Sequence, residues 1–294
     1  LIKSKIKYIK NKMTQINNPL EELFEQTGCA IGVQKRGDNC FTEENAKKII
    51  EHFTKENINV NKNNLAKKLK EQTKCPDDDC LYKSGYLENI IGYDKAKEHE
   101  IYQLKPDGPK DDPNKWLSNH NIDDILEQHT RTFEKNNFHY IKFQMSDFDK
   151  NDTELNKIDL IKKYNDEGMR TFAVVLNDDV STGGGTHWTA IFCDFRNKNN
   201  VTIEHFNSSG VGIMPSFNKW MIDTKTKFEK EKDFTVKLIY ADNIEHQKDN
   251  ASCGPYSLYY ITSRLKNISY ELFMDQQNTI QDKVMWEFRK VLFK

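Results

Sequence analysis

The sequence predicts an α+β protein, a mixed sheet flanked by helices and preceded by a helical arm. Three observations carry this. Short apolar runs alternate with helix-period segments between residues 171 and 240. Before them the chain is charged, and its apolar residues follow helix spacing. Between these regions, three of the seven prolines (Pro106, Pro109 and Pro113) fall within KPDGPKDDPNKW, and all four tryptophans lie beyond Pro113. That stretch is the linker candidate, dividing the chain into residues 1–108 and residues 109–294.

In the first part, a helix begins over Leu20 to Gln26. A second follows Thr42, whose hydroxyl suits an N-cap, with Glu in the first turn and Ala46, Ile49, Ile50 and Phe53 on one face. Asn61 to Glu71 carries Leu65 and Leu69 against a basic face. In the second part, Ile122 to Phe133 reads as a helix and Thr171 to Leu176 as a buried strand. His187 to Phe195 and Val201 to Phe206 read as strands joined by the turn RNKNN. Asn218 to Lys230 is a helix, Phe234 to Tyr240 a strand, and Pro255 to Leu265 and Asp282 to Leu292 are helices.

The 294 residues suffice for one large or two modest domains. With 36% apolar and 30% charged residues and a net charge of −1, the composition reads as globular with solvated faces. It makes no electrostatic case for nucleic acid or an anionic membrane as partner. No apolar run is long enough to span a bilayer. The opening LIKSKIKYIKNK is basic with no apolar core after it, so no signal peptide is expected; Met13 is a candidate natural start after a disordered tail. Without an export signal, the Asn-x-Ser/Thr sequons at Asn151, Asn200, Asn207, Asn250 and Asn267 read as chance products.

Six cysteines in a chain this long do not read as a secreted disulfide scaffold, and a reducing intracellular setting is expected. Cys75 and Cys80 read as partly buried thiols at a turn. Zinc shared with Cys29 and Cys40 is the alternative, on spacings unlike standard modules. Cys193, within a strand, reads as core.

Cys253 is followed by Gly254 and Pro255 at the start of a helix. The helix dipole and unpaired N–H groups there are expected to lower the thiol pKa and to bind an oxyanion. His187 opens a strand after the glycine loop STGGGT and is the candidate base; an ordinary strand-end histidine is the bland alternative. Asn207 ends the next strand and could orient the imidazole, or simply serve the turn before Ser-Ser-Gly. Gln247, six residues before Cys253, is the candidate oxyanion donor, with Asn250 as rival and His246 as an alternative base.

In combination, THW, IEHFNSSG and HQKDNASCGPYSLYYI resemble the Ulp1-like (SUMO-protease-like) cysteine peptidases, in the form found in large DNA viruses. The match covers about residues 114 to 294. The resemblance implies a papain-like, Ulp1-type core and thiol protease chemistry without a cofactor or metal. It implies cleavage after Gly-Gly, with Trp188 and Trp116 as an aromatic roof that admits glycine. Trp116-Leu117 resembles the opening of cellular SUMO proteases, though the residues after it depart from that pattern. The viral type also has a helical N-terminal extension with a Cys-x4-Cys, like Cys75 to Cys80. The implied partner is a protein with a Gly-Gly-Xaa site: a viral structural polyprotein cut during virion maturation, or a ubiquitin-like conjugate. The implied location is the host cytoplasm at viral assembly sites, and the virion.

Overall fold

A computed structural model describes residue 20, residues 22–23 and residues 28–294. The helix expected from Leu20 falls mostly outside these residues, as do Met13 and the basic leading segment.

β-branched and aromatic runs form one five-stranded sheet: β1 (Phe138–Met145), β2 (Thr171–Asn177), β3 (Trp188–Asp194), β4 (Val201–Phe206) and β5 (Val236–Ala241). The strands lie in sequence order. The β1/β2 and β4/β5 pairs are parallel, and the central pairs are antiparallel. This is the mixed sheet the sequence predicts, with one strand, β1, that the sequence does not mark. Its inward residues Phe138, Tyr140 and Ile141 are interrupted by His139 and Lys142, which hides the strand among polar neighbours.

Alternation along the strands divides two cores. On one face, Ala173, Val175, Trp188, Ala190, Phe192 and Phe206 pack beneath α6 (Asn119–Thr132), α10 (Cys253–Leu265) and α11 (Asp282–Leu292). On the other, Phe172, Val174, Leu176, Ile191 and Ile203 meet α7 (Glu154–Lys157), α8 (Leu160–Asp166) and α9 (Pro215–Glu231). Helix α10 is buried along its whole length. On its sheet-facing side Arg264 pairs with the fully buried Glu204 through Nε at 2.8 Å and Nη2 at 3.0 Å. Tyr260 adds a hydroxyl donor to the same carboxylate at 2.7 Å.

The first part is helical: α1 (Glu43–Lys55), α2 (Leu65–Thr73), α3 (Asp78–Lys83), α4 (Tyr86–Ile91) and α5 (Tyr93–Tyr102). Thr42 caps α1 by accepting from the Asn45 N–H at 3.2 Å, and Ala46, Ile49 and Phe53 are buried. These helices close a core of their own with Leu65, Leu69 and Leu87. Leu20, Leu23 and Ile31 instead join the core under the sheet. The sequence does not mark the helices from 78 to 102, because two span only six residues and Gly85 and Gly92 break the apolar period.

The cysteine expectation is corrected. Cys29 is bonded to Cys40 and Cys75 to Cys80, so these are disulfides and not thiols at a turn or a zinc set. Cys75 and Cys80 are five residues apart across the turn from α2 into α3, and Cys29 and Cys40 eleven apart ahead of α1. Cys193 and Cys253 are free and buried.

Candidate active site

β3 and β4 run antiparallel, and their neighbouring ends carry His187 and Asn207 to one corner of the sheet. His187 Nε2 lies 2.8 Å from Asn207 Oδ1. The amide cannot be turned over. Its Nδ2 donates to the Val211 carbonyl at 2.7 Å, and its Oδ1 accepts the Ser209 N–H at 3.0 Å and hydroxyl at 2.8 Å. Two backbone groups therefore define which end is oxygen. It follows that His187 donates from Nε2, leaving Nδ1 unprotonated as a proton acceptor. Gly210 makes the turn possible: its φ is +72°, and an added Cβ would lie 2.8 Å from the Glu245 nitrogen.

Cys253 is the first residue of α10, which begins two residues earlier than the sequence suggests. Ser252 occupies the N-cap without a side-chain cap, because its hydroxyl is bound to Asp249 Oδ2 at 2.6 Å. Gly254 allows Leu117 to pack on the helix start, since a Cβ there would sit 3.0 Å from Leu117 Cβ. The thiol departs from expectation. Burial pushes it up, outweighing the backbone N–H groups of Trp188, Gly254 and Cys253, which pull it down. Those N–H contacts bring the sulfur beside Trp188, the neighbour of His187.

The segment before Cys253 is organised by Asp249. Its carboxylate accepts from Ala251 N at 3.0 Å, Ser252 N at 2.8 Å and Trp286 Nε1 at 3.0 Å. Gln247 is buried; Nε2 donates to the Asp249 carbonyl at 2.9 Å and lies 3.3 Å from its carboxylate. Gln247 Oε1 accepts from Ser208 Oγ at 2.8 Å, which orients the amide and ties it to the residue after Asn207. Asn250 is exposed on the same segment.

The glycine loop borders a cleft of about 700 Å³ lined by Trp116, Leu117, Phe143, Gly183, Gly184 and Trp188, among others. Trp188 is buried, donates from Nε1 to the Leu117 carbonyl at 3.0 Å and meets Phe143 edge to face. Trp116 is 44% exposed at the rim. The loop is tied down and not floppy. Asp179 accepts from Val180 N at 2.8 Å and Gly185 N at 3.0 Å, and Asn177 accepts from Thr186 N at 3.1 Å.

His246 is not available as a base. Nε2 faces the Phe273 carbonyl at 3.1 Å, Nδ1 accepts the Ile280 N–H at 3.1 Å, and burial lowers its pKa. Sequence reasoning missed Ser208 and Asp249, whose side chains orient Gln247 and the segment before Cys253, and Val211, whose carbonyl holds the Asn207 amide. It also missed Asp178, whose carboxyl is raised by burial against the pull of His187 and His205. Only the register, which puts residue 178 opposite residue 187, reveals it: the Asp178 N–H donates to the His187 carbonyl at 3.1 Å.

Residues 169–294 match the Ulp1 protease family, C-terminal catalytic domain. A SUMO-1 cysteine protease of African swine fever virus is 35% identical over 240 residues, covering 76% of this chain and 85% of that protein. A protein of Acanthamoeba polyphaga mimivirus, named as a thiol protease, is 25% identical over 237 residues, covering 77% of this chain and 73% of that protein. The crystal structure of the African swine fever virus protease matches with a TM-score of 0.69 at 31% identity, covering 91% of this chain and 96% of that one.

Proposed function

The chain belongs to the Ulp1 protease family and is a cysteine protease of the viral type, and on that premise we propose that Cys253, His187 and Asn207 are its catalytic residues and that it cuts proteins after Gly-Gly. The observation that carries the residue roles is the 2.8 Å His187–Asn207 contact, with its tautomer fixed from outside the pair.

Because burial holds the thiol proton on, His187 Nδ1 takes it as the sulfur attacks the substrate carbonyl carbon. The resulting oxyanion is met by the Cys253 N–H at the uncapped helix start, and by the Gln247 amide once Nε2 gives up its longer, 3.3 Å hydrogen bond to the Asp249 carboxylate. When the intermediate collapses, the C–N bond breaks and His187 returns the proton to the leaving amine. Water, deprotonated by His187, then hydrolyses the thioester and frees Cys253. Asn207 keeps the imidazole aimed throughout, without adding charge.

The reading of a glycine preference rests on Trp188, Trp116 and the glycine loop lining one cleft, through which the chain before the cut would pass. A substrate Cβ would overpack it at about 1–3 kcal/mol, roughly a ten- to hundredfold loss per position. A peptide series with Gly-Gly, Gly-Ala, Ala-Gly and Ala-Ala before the cut tests this. Gly-Gly should be cleaved fastest, and Trp188→Ala should narrow the differences while slowing turnover. Equal rates for Ala-Ala and Gly-Gly in the wild type would reject the glycine preference.

The leading substrate is a viral structural polyprotein cut during virion maturation, in the host cytoplasm and the virion. Removal of a ubiquitin-like modifier is the second reading, favoured by the name of the swine fever relative, a SUMO-1 protease. Residues 1–108 are read as an arm that aids recognition or stability, with the catalytic residues in 109–294.

A further inference from the structure

Arg289, on α11, is fully buried. Its Nη2 donates to the Ala251 carbonyl at 2.9 Å, while Nε and Nη1 are buried without a hydrogen-bond partner. A guanidinium in a protein interior is ordinarily paired with carboxylates, because an uncompensated charge there is costly. Among the described residues no carboxylate touches it. The charged or titratable groups acting on it are Asp249, then Cys253, then Asp112.

The contact it does make is specific. The carbonyl of Ala251 and the N–H of Ser252 belong to one peptide unit. Arg289 holds its oxygen, and Asp249 Oδ1 holds its N–H at 2.8 Å. The next peptide carries the Cys253 N–H, whose direction is set by the unit before it. A rotation of the 251–252 peptide would swing that N–H and shift the sulfur.

We propose that Arg289 is a positioning residue of this protease: it pins the peptide that aims the Cys253 N–H, and it keeps a buried positive charge within electrostatic reach of the sulfur that becomes anionic in turnover. This rests on the reading of Cys253 as nucleophile. It gives a buried, incompletely bonded arginine a purpose that packing alone does not, since an apolar side chain would fill the space without the desolvation cost.

The test uses the full chain with Arg289→Gln and Arg289→Lys. Gln is neutral and keeps a donor for Ala251, and its lack of charge removes a burial cost, so it should fold. Lys keeps the charge with one donor group. Thermal unfolding checks each fold, the pH dependence of Cys253 alkylation by iodoacetamide gives the thiol pKa, and a Gly-Gly peptide gives kcat and KM. Arg289→Gln should raise the thiol pKa by roughly 0.5–1 unit, the effect of one charge at intermediate dielectric. It should lower kcat about tenfold, with KM changed less than about twofold. Arg289→Lys should hold the thiol near its wild-type pKa. If Arg289→Gln changes thermal stability alone, leaving thiol pKa and kcat at wild-type values, the proposal is overturned. A Lys variant whose thiol moves as far as the Gln variant's removes the role of charge. Cys253→Ala that still cleaves would instead reject the nucleophile reading and this proposal with it.

Discussion

His187 Nε2 lies 2.8 Å from an Asn207 oxygen that two backbone groups forbid from turning away. An orienter of this kind fixes the tautomer but adds no charge to steady the imidazolium. Asn207→Ala should therefore reduce kcat/KM by about 10²–10³, the range for removing one positioned polar group. Asn207→Asp supplies an anion beside the ring, which favours its protonated form. The acid limb of the kcat/KM profile should move to higher pH, because the base is then protonated over a wider range. A limb that moves down, or an Ala variant with wild-type turnover, contradicts the assigned role.

Ser208 and Gln247 form a second link between the two halves of the site, since the Ser208 hydroxyl orients the Gln247 amide at 2.8 Å. Gln247→Ala should lower kcat about 10²-fold with little change in KM. Ser208→Ala should have a smaller effect of the same kind. Steady-state kinetics on one Gly-Gly peptide separates the two parameters. Wild-type kcat in Gln247→Ala would move the donor elsewhere, with the exposed Asn250 next in line.

Much of this site was legible because its chemistry is carried by side chains at fixed spacings on strong elements. His187 and Asn207 sit at the ends of apolar strands, and Cys253 opens a helix marked by Gly254 and Pro255. What was hidden depends on tertiary contact. The arm disulfides join cysteines whose meeting depends on how the arm folds. β1 shows no clean alternation, since His139 and Lys142 sit among its apolar residues. Arg289 reads as one more basic residue near the end of α11 until its burial is seen. The thiol was misjudged because a helix N-terminus is visible in sequence while the depth of burial is not.

The glycine loop gives a prediction about binding. A Cβ at Gly183 would lie 2.1 Å from Asp179 Oδ2, on the carboxylate that holds Val180 N and Gly185 N. Gly183→Ala should disorder the cleft rim and raise KM several-fold, with kcat less affected. Gly184→Ala meets nothing within 4 Å and should be mild. Equal kinetic effects from the two variants would show that the loop's geometry does not matter to substrate.

Stability should fall in acid for a nameable reason. His99 and His129 are buried, and desolvation lowers each pKa to about 3. In the unfolded chain both titrate near 6.5. Between these values the unfolded state binds more protons, so stability is complete above about pH 6.5 and declines as pH falls toward 3. His99→Phe should flatten this decline relative to wild type, measured as the urea midpoint at pH 7, 5 and 4. An unchanged slope in the variant would remove His99 from the account and leave His129 and carboxylates such as Asp249.

The central claim is that Cys253 attacks a carbonyl presented after Gly-Gly, with His187 as base. The most direct measurement is peptide mapping after treatment with a peptide electrophile ending in Gly-Gly. The account predicts one adduct, at Cys253, formed at neutral pH, greatly slowed in His187→Ala and weak when Ala-Ala replaces Gly-Gly. An adduct that forms at Cys253 as fast without His187, or that maps to another residue while Cys253→Ala still cleaves peptide, would contradict it.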